Sequence, residues 1–200
     1  LPKGDRMNMD MAVRIWIRVI VKGVKMDLRE KKTIRNIQNA FLKLRAKKPL
    51  ERITIRELAE AAEISKATFY LHYKDIYDLS EQMQNDMVRK MFSGIRAPDL
   101  MFSDPVRFAY ETFQIFSEFP EVTGVLFSGA QFWELPHRVE RTMKEYIFQE
   151  FPELEHDADF NIGISQMIYG AYYAYVENYK EFGVEKVMEK LSRMAVKFYE

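Results

Sequence analysis

The stretch from Ile53 to Lys74 constrains this chain most, because it carries a set of helix-start signals at Thr54 and repeats part of it eleven positions on, at Ser65. Thr54 is placed to cap a first helix, with Glu57 at the third helical position able to reach back, and Ile53 and Leu58 at the spacing of a hydrophobic staple. Ser65 repeats the cap, flanked by Ile64 and Phe69 at the same staple spacing, so the chain must turn sharply through Ala62 to Ser65. On the first helix Ile55, Leu58, Ala59 and Ala62 fall at i, i+3, i+4 and i+7 and face inward. On the second, Ile64, Phe69 and Tyr73 pack back against them. The outer face keeps Lys66, Ala67, Thr68, Tyr70, Leu71 and His72, a mixture of small, hydroxyl, aromatic and basic side chains of the kind that base edges and phosphates require.

Charge points the same way. The chain has 30 basic and 30 acidic side chains, but the balance is a cancellation. Residues 26 to 74 hold twelve Lys/Arg and six Asp/Glu, a net of +6, whereas residues 75 to 200 hold twelve against twenty-two, a net of −10. A basic end on an otherwise acidic chain is an electrostatic footprint for phosphates, and Lys43, Arg45, Lys47 and Lys48 adjoin the helical pair directly. A solvated basic helix face is the bland alternative.

Other classes find less support. With no cysteine there is no disulfide, zinc–thiolate site or thiol catalysis, and the lack of a disulfide framework fits a reducing cytoplasm. No run is long enough to span a membrane; the nearest, Met11 to Val24, is interrupted by Arg14 and Arg18. The eight glycines form no phosphate-cradling loop, and no nucleophile-elbow or metalloprotease motif occurs. His137 near Glu134, and His156 near Glu153, Glu155 and Asp157, offer metal-ligand chemistry, although such residues between helices are ordinarily solvated. No catalytic residue, metal site or cofactor is assigned.

Beyond the helical pair the chain reads as all-α. Asp75 and Asp78 start a long helix through Leu79, Met83, Met87 and Met91 towards Gly94. Ser103-Asp104-Pro105 opens the next, with Phe108, Thr112, Ile115 and Phe119 along one side. Further helices are expected over 136–151, over 157–182 with Gly183 as its stop, and over 184–199. Val13, Ile15, Ile17, Val19 and Val21 alternate like a strand in this helical context, so residues 1–25 are assigned as a leader, with translation expected to start at Met26. An N-terminal arm touching phosphates through Arg14, Arg18 and Lys22 is the alternative.

From about Thr33 to Leu79 the residues resemble the TetR-type transcriptional regulators. The resemblance rests on Ala59, Ala62, Ile64-Ser65-Lys66, Thr68-Phe69-Tyr70, His72-Tyr73-Lys74 and Leu79, and the run from Thr68 to Leu79 looks closest to the branch of the dihydroxyacetone kinase activator. It implies a helix-turn-helix domain over 26–80, a helical ligand-binding and dimerisation domain over 81–200, and a repressor of a palindromic duplex DNA operator. By the same resemblance Thr68, Tyr70, Leu71 and His72 match contact positions, with Lys66 and Ala67 at the leading end and Thr54, Arg56 and Lys74 beside them. Two positions depart from the family. Glu63 stands where glycine is frequent, and must adopt positive φ at a cost of roughly 1 kcal/mol or take another turn. Ile76 stands where a phosphate-contacting lysine is frequent, a role passed here to Lys74.

The resemblance also implies a homodimer built from the last two helices, with Ile164, Ile168, Ala171, Tyr175, Val187, Leu191 and Met194 as the interface; ordinary core packing explains the same stripes. Two copies match half-sites about one helical turn apart. A small apolar or aromatic effector would be lined by Phe108, Phe113, Phe116, Trp133, Tyr146, Tyr169 and Tyr173, side chains that equally fill cores. The readings from other classes are a helical dimeric adaptor or activator that binds a protein partner, and a metal-dependent enzyme.

Overall fold

The computed structural model describes residues 28–95, 100–116 and 118–195, with the side chains of 101, 102, 116 and 195 left aside. The leader assigned to residues 1–25, its strand-like alternation and the end of the last expected helix lie outside the described residues. Every regular element among the described residues is helical. They are α1 (Leu28–Arg45), α2 (Ile55–Ala61), α3 (Lys66–Tyr70), α4 (Ile76–Phe92), α5 (Leu100–Ser103), α6 (Pro105–Phe116), α7 (Pro120–Leu126), α8 (Glu134–Glu150), α9 (Ala158–Phe182) and α10 (Val184–Ala195), with short 3-10 turns at Leu50–Arg52, Gly129–Gln131 and Pro152–His156.

The chain forms two compact units, and they do not follow a single cut near residue 80. The first comprises the chain up to Met87 together with Phe119–Phe132; the second comprises Val88–Glu118 and the chain from Trp133 onward. By compactness, 119–132 goes with the first unit, and its apolar residues complete that unit's core. Phe119, Val122, Leu126 and Phe127 are buried there with Ile37, Phe41, Leu42, Leu58, Phe69, Leu79 and Met83. Pro120 starts α7 at a position where the missing N–H is no loss. Phe119, expected to continue the apolar side of α6, instead belongs to this core because α6 ends at Phe116.

Two buried polar side chains fasten this segment. The Gln84 amide, almost wholly buried in α4, donates to the Leu126 carbonyl (3.0 Å) and to Gln131 Oε1 (3.1 Å). The guanidinium of Arg45, at the end of α1, donates through Nη2 to Ser128 Oγ (2.9 Å) and the Val125 carbonyl (3.2 Å), and through Nη1 to the Lys48 carbonyl (3.2 Å). Burial pushes its pKa down, partly opposed by the charge of Glu51. Arg45 also lines a cavity of about 180 Å³ with Lys48, Leu50, Ser128, Gly129 and Gln131.

In the second unit α10 packs on both α6 and α9, and α9 on α8. Asp104 caps α6 by accepting from the Arg107 amide (3.1 Å), and Asp157 caps α9 by accepting from the Phe160 amide (2.8 Å). Gly183, at φ 83°, stops α9 as expected. Glu140 on α8 accepts from Lys144 (2.7 Å) and from Ser165 on α9; burial works to raise its pKa, but these bonds bring it below the usual carboxylate value.

Truncating Gln84 leaves the Leu126 carbonyl without this donor in a dry interior. Gln84→Ala is expected to destabilise the first unit by about 1–3 kcal/mol in urea unfolding.

Candidate nucleic-acid interface

The α2–α3 pair is set by its ends. Thr54 Oγ1 accepts from the Glu57 amide (3.3 Å), so the cap forms. The return half of the expected box does not, because the Glu57 carboxylate pairs with Lys48 instead. After Ala61 the helix closes with the two bonds of a Schellman motif: the Ile64 amide donates to the Ala59 carbonyl (3.0 Å) and the Glu63 amide to the Glu60 carbonyl (3.2 Å). This closure requires a left-handed residue between helix and exit, and Glu63 supplies it at φ 56°, the only non-glycine with positive φ among the described residues. The family's glycine site thus keeps its backbone shape here with a side chain present. Ser65 then caps α3, its Oγ accepting from the Thr68 amide (3.0 Å) and lying 2.8 Å from Thr68 Oγ1.

Most of the inner face is packed as expected, with Ile55 and Ile64 half-buried. Leu58, Ala59, Ala62, Phe69 and Tyr73 are buried, with Phe69 in ring contact with Tyr73 at 5.7 Å. Burial pushes the Tyr73 phenol far above its ordinary value, opposed in part by a hydrogen bond with Gln38, so it stays neutral. Ile76 is buried as well, which explains why no phosphate contact can come from that position. Asp75 and Asp78 start α4: Asp75 accepts from the Asp78 amide (2.8 Å), and Asp78 accepts from the Lys74 amide (2.8 Å). Hydrogen bonds from Gln82 and then from the Lys74 backbone hold the Asp78 carboxyl below its usual pKa.

The outer face places most of the expected contact residues together. Thr54, Arg56, Lys66, Ala67, Tyr70, Leu71 and Lys74 are exposed, and Thr68 and His72 are partly so. Tyr70 is 56% and Leu71 81% exposed, large values for such side chains. Arg56 is engaged by Glu60 at 3.0 Å on the solvated surface of α2, an arrangement that leaves it available to a stronger anion. The regular helix ends at Tyr70, with Leu71 and His72 in the turn that follows.

Residues 38–83 match the family model described as "Bacterial regulatory proteins, tetR family". These residues form a TetR-type DNA-binding domain. The TetR-type domain accounts for the capped helical pair and for the exposed basic and apolar side chains of its outer face; the chain is a DNA-binding transcription regulator with a helix-turn-helix.

The expected effector and dimer residues of this regulator scatter. Trp133 and Tyr169 stack at 6.1 Å, Trp133 and Tyr173 are about half exposed and Phe108 is buried; the Phe116 side chain lies outside the described residues. Phe113 and Tyr146 are half-buried. Of the expected interface, Ile164, Ile168 and Val187 are buried within the subunit, because α9 and α10 turn that stripe towards α8, α6 and each other. Ala171, Tyr175 and Leu191 are half-buried, and Met194 is exposed. The stripe of α9 that is uncovered runs instead through Ile162, Gln166, Gly170, Tyr173 and Glu177. Its signal was available as a second helical register about two residues out of step with the first. Among the described residues no group of three His, Asp or Glu side chains is arranged to hold a metal ion, and no helix is long and apolar enough to cross a membrane.

The turn makes a paired prediction. Glu63→Gly relieves the left-handed strain and is expected to stabilise by about 0.5–1 kcal/mol, less whatever backbone freedom glycine adds to the unfolded chain. Ser65→Ala removes the α3 cap and is expected to cost about 1 kcal/mol, both read from urea unfolding midpoints.

Proposed function

We propose that this regulator is a homodimeric repressor that occupies a palindromic operator, with α3 and the turn after it entering the major groove of each half-site. The observation that carries this reading is the outer face of a doubly capped helical pair, where Lys66, Ala67, Tyr70, Leu71 and Lys74 stand in solvent on a rigid scaffold. The net charge of +6 over residues 26 to 74 supplies the attraction to phosphates that orients such a face on a duplex. Lys66 and Lys74 are exposed and, among the described residues, stand in no salt bridge, although the Lys74 charge helps stabilise the Asp78 carboxylate. Two copies are needed because one short reading helix spans only a few base pairs.

The partner face of the second unit is read as the uncovered stripe of α9. Ile162 is 67% and Tyr173 53% exposed, with Gly170 between them allowing a partner helix to approach closely. Such a stripe, buried symmetrically, is the usual form of a twofold interface.

Selection from random duplex DNA tests the reading. A preferred palindromic sequence is expected, bound with a steep inverse dependence on salt. Tyr70→Ala is expected to weaken the recovered site about tenfold or more, and Lys74→Ala to weaken all duplexes alike and lower the salt slope by about 1. No preferred duplex, or indifference to both substitutions, would refute it and favour an adaptor.

Tyr173→Glu buries charge in the proposed partner face. Monomer in sedimentation together with loss of operator binding is the expected outcome; an unchanged dimer would place the interface elsewhere.

A further inference from the structure

Between Ser65 and Lys74 there is no Arg, Asn or Gln, the side chains whose forked geometry reads guanine or adenine with two hydrogen bonds. The polar groups that remain flank the centre of the outer face rather than occupy it. The Thr68 hydroxyl is already within hydrogen-bond distance of Ser65 Oγ at 2.8 Å, His72 is partly covered, and Lys66 stands at the leading end of the helix. What the centre of the outer face offers is apolar. Ala67 and Leu71 are one helical turn apart, joined by the Leu71 amide to the Ala67 carbonyl (3.2 Å), and Tyr70 lies three residues from Ala67 on the same side. Leu71 is 81% exposed and so adds little to the core beneath it.

We infer that Leu71, with Ala67 beside it, reads the C5-methyl groups of thymine, making the operator half-site one selected by apolar contact at its centre. The major groove presents a single apolar group, that methyl, and it distinguishes thymine from every other base there. This inference rests on the DNA-binding reading above and specifies its ligand. Discrimination of this kind has a recognisable size: covering one methyl group corresponds to about a fourfold change in affinity, smaller than a two-bond contact gives.

Replacing thymine by deoxyuridine removes the methyl and nothing else. With the full chain and the duplex recovered by selection, each thymine of a half-site is replaced in turn and affinity measured by fluorescence anisotropy. The wild-type protein is expected to lose about fourfold at one or two adjacent positions, and Leu71→Ala to bind thymine and uracil alike at one of them. Leu71→Met, which keeps a long apolar side chain, should restore the difference. Because the side chain is exposed, the thermal midpoint of Leu71→Ala should match the wild type. A recovered duplex at which no uracil substitution changes affinity, or at which the penalty survives undiminished in Leu71→Ala, overturns the inference while leaving DNA binding intact. A protein that selects no duplex removes the DNA reading and this inference with it.

Discussion

The turn between α2 and α3 is what everything on the outer face depends on. Two carbonyls at the end of α2 are satisfied only if the chain passes through a left-handed residue, and Glu63 takes that conformation so that Ile64 can close the helix and Ser65 can open the next. Within four residues the backbone reverses with its polar groups paired. The side chains of Lys66, Ala67, Tyr70 and Leu71 are thereby presented by a short, rigid element rather than by a loop, which is what a groove-reading surface requires.

Behind that turn stands a core completed from far along the chain. Segment 119–132 contributes Phe119, Val122, Leu126 and Phe127, and its polar backbone is met by Gln84 and Arg45. Arg45 is notable in kind: a buried cation held by carbonyls and one hydroxyl, with no carboxylate in ion-pair contact among the described residues. Its charge is costly to desolvate, and its planar fork compensates by gathering acceptors from Lys48, Val125 and Ser128 that a neutral side chain could not reach together. The basic character of this region is thus divided. Arg45 serves the interior, while Lys66 and Lys74 remain at the surface.

The second unit shows how closely a core stripe and a surface stripe can run on one helix. On α9, Ile164 and Ile168 are buried while Ile162, Gln166 and Tyr173 are exposed, although both sets recur at helical spacing. Hydropathy alone favours the greasier set as a partner surface. Packing against α8 and α10 consumes it, and leaves a mixed face of aromatic, amide and glycine residues open.

The local features of both units were largely readable from residues in order. Caps at Thr54, Ser65, Asp104 and Asp157, the glycine stop at 183 and the inward faces of α2 and α3 are local properties, governed by hydrogen bonds spanning a few residues and by a period of 3.6. The sequence by itself therefore determined the all-α class, the helix-turn-helix and the members of its outer face. Only the tertiary structure decided that 119–132 belongs to the first unit, that Glu57 pairs with Lys48 rather than closing its own cap, and which stripe of α9 is covered. Those outcomes depend on which distant surfaces compete for the same apolar or charged group, and spacing along the chain carries no record of that competition.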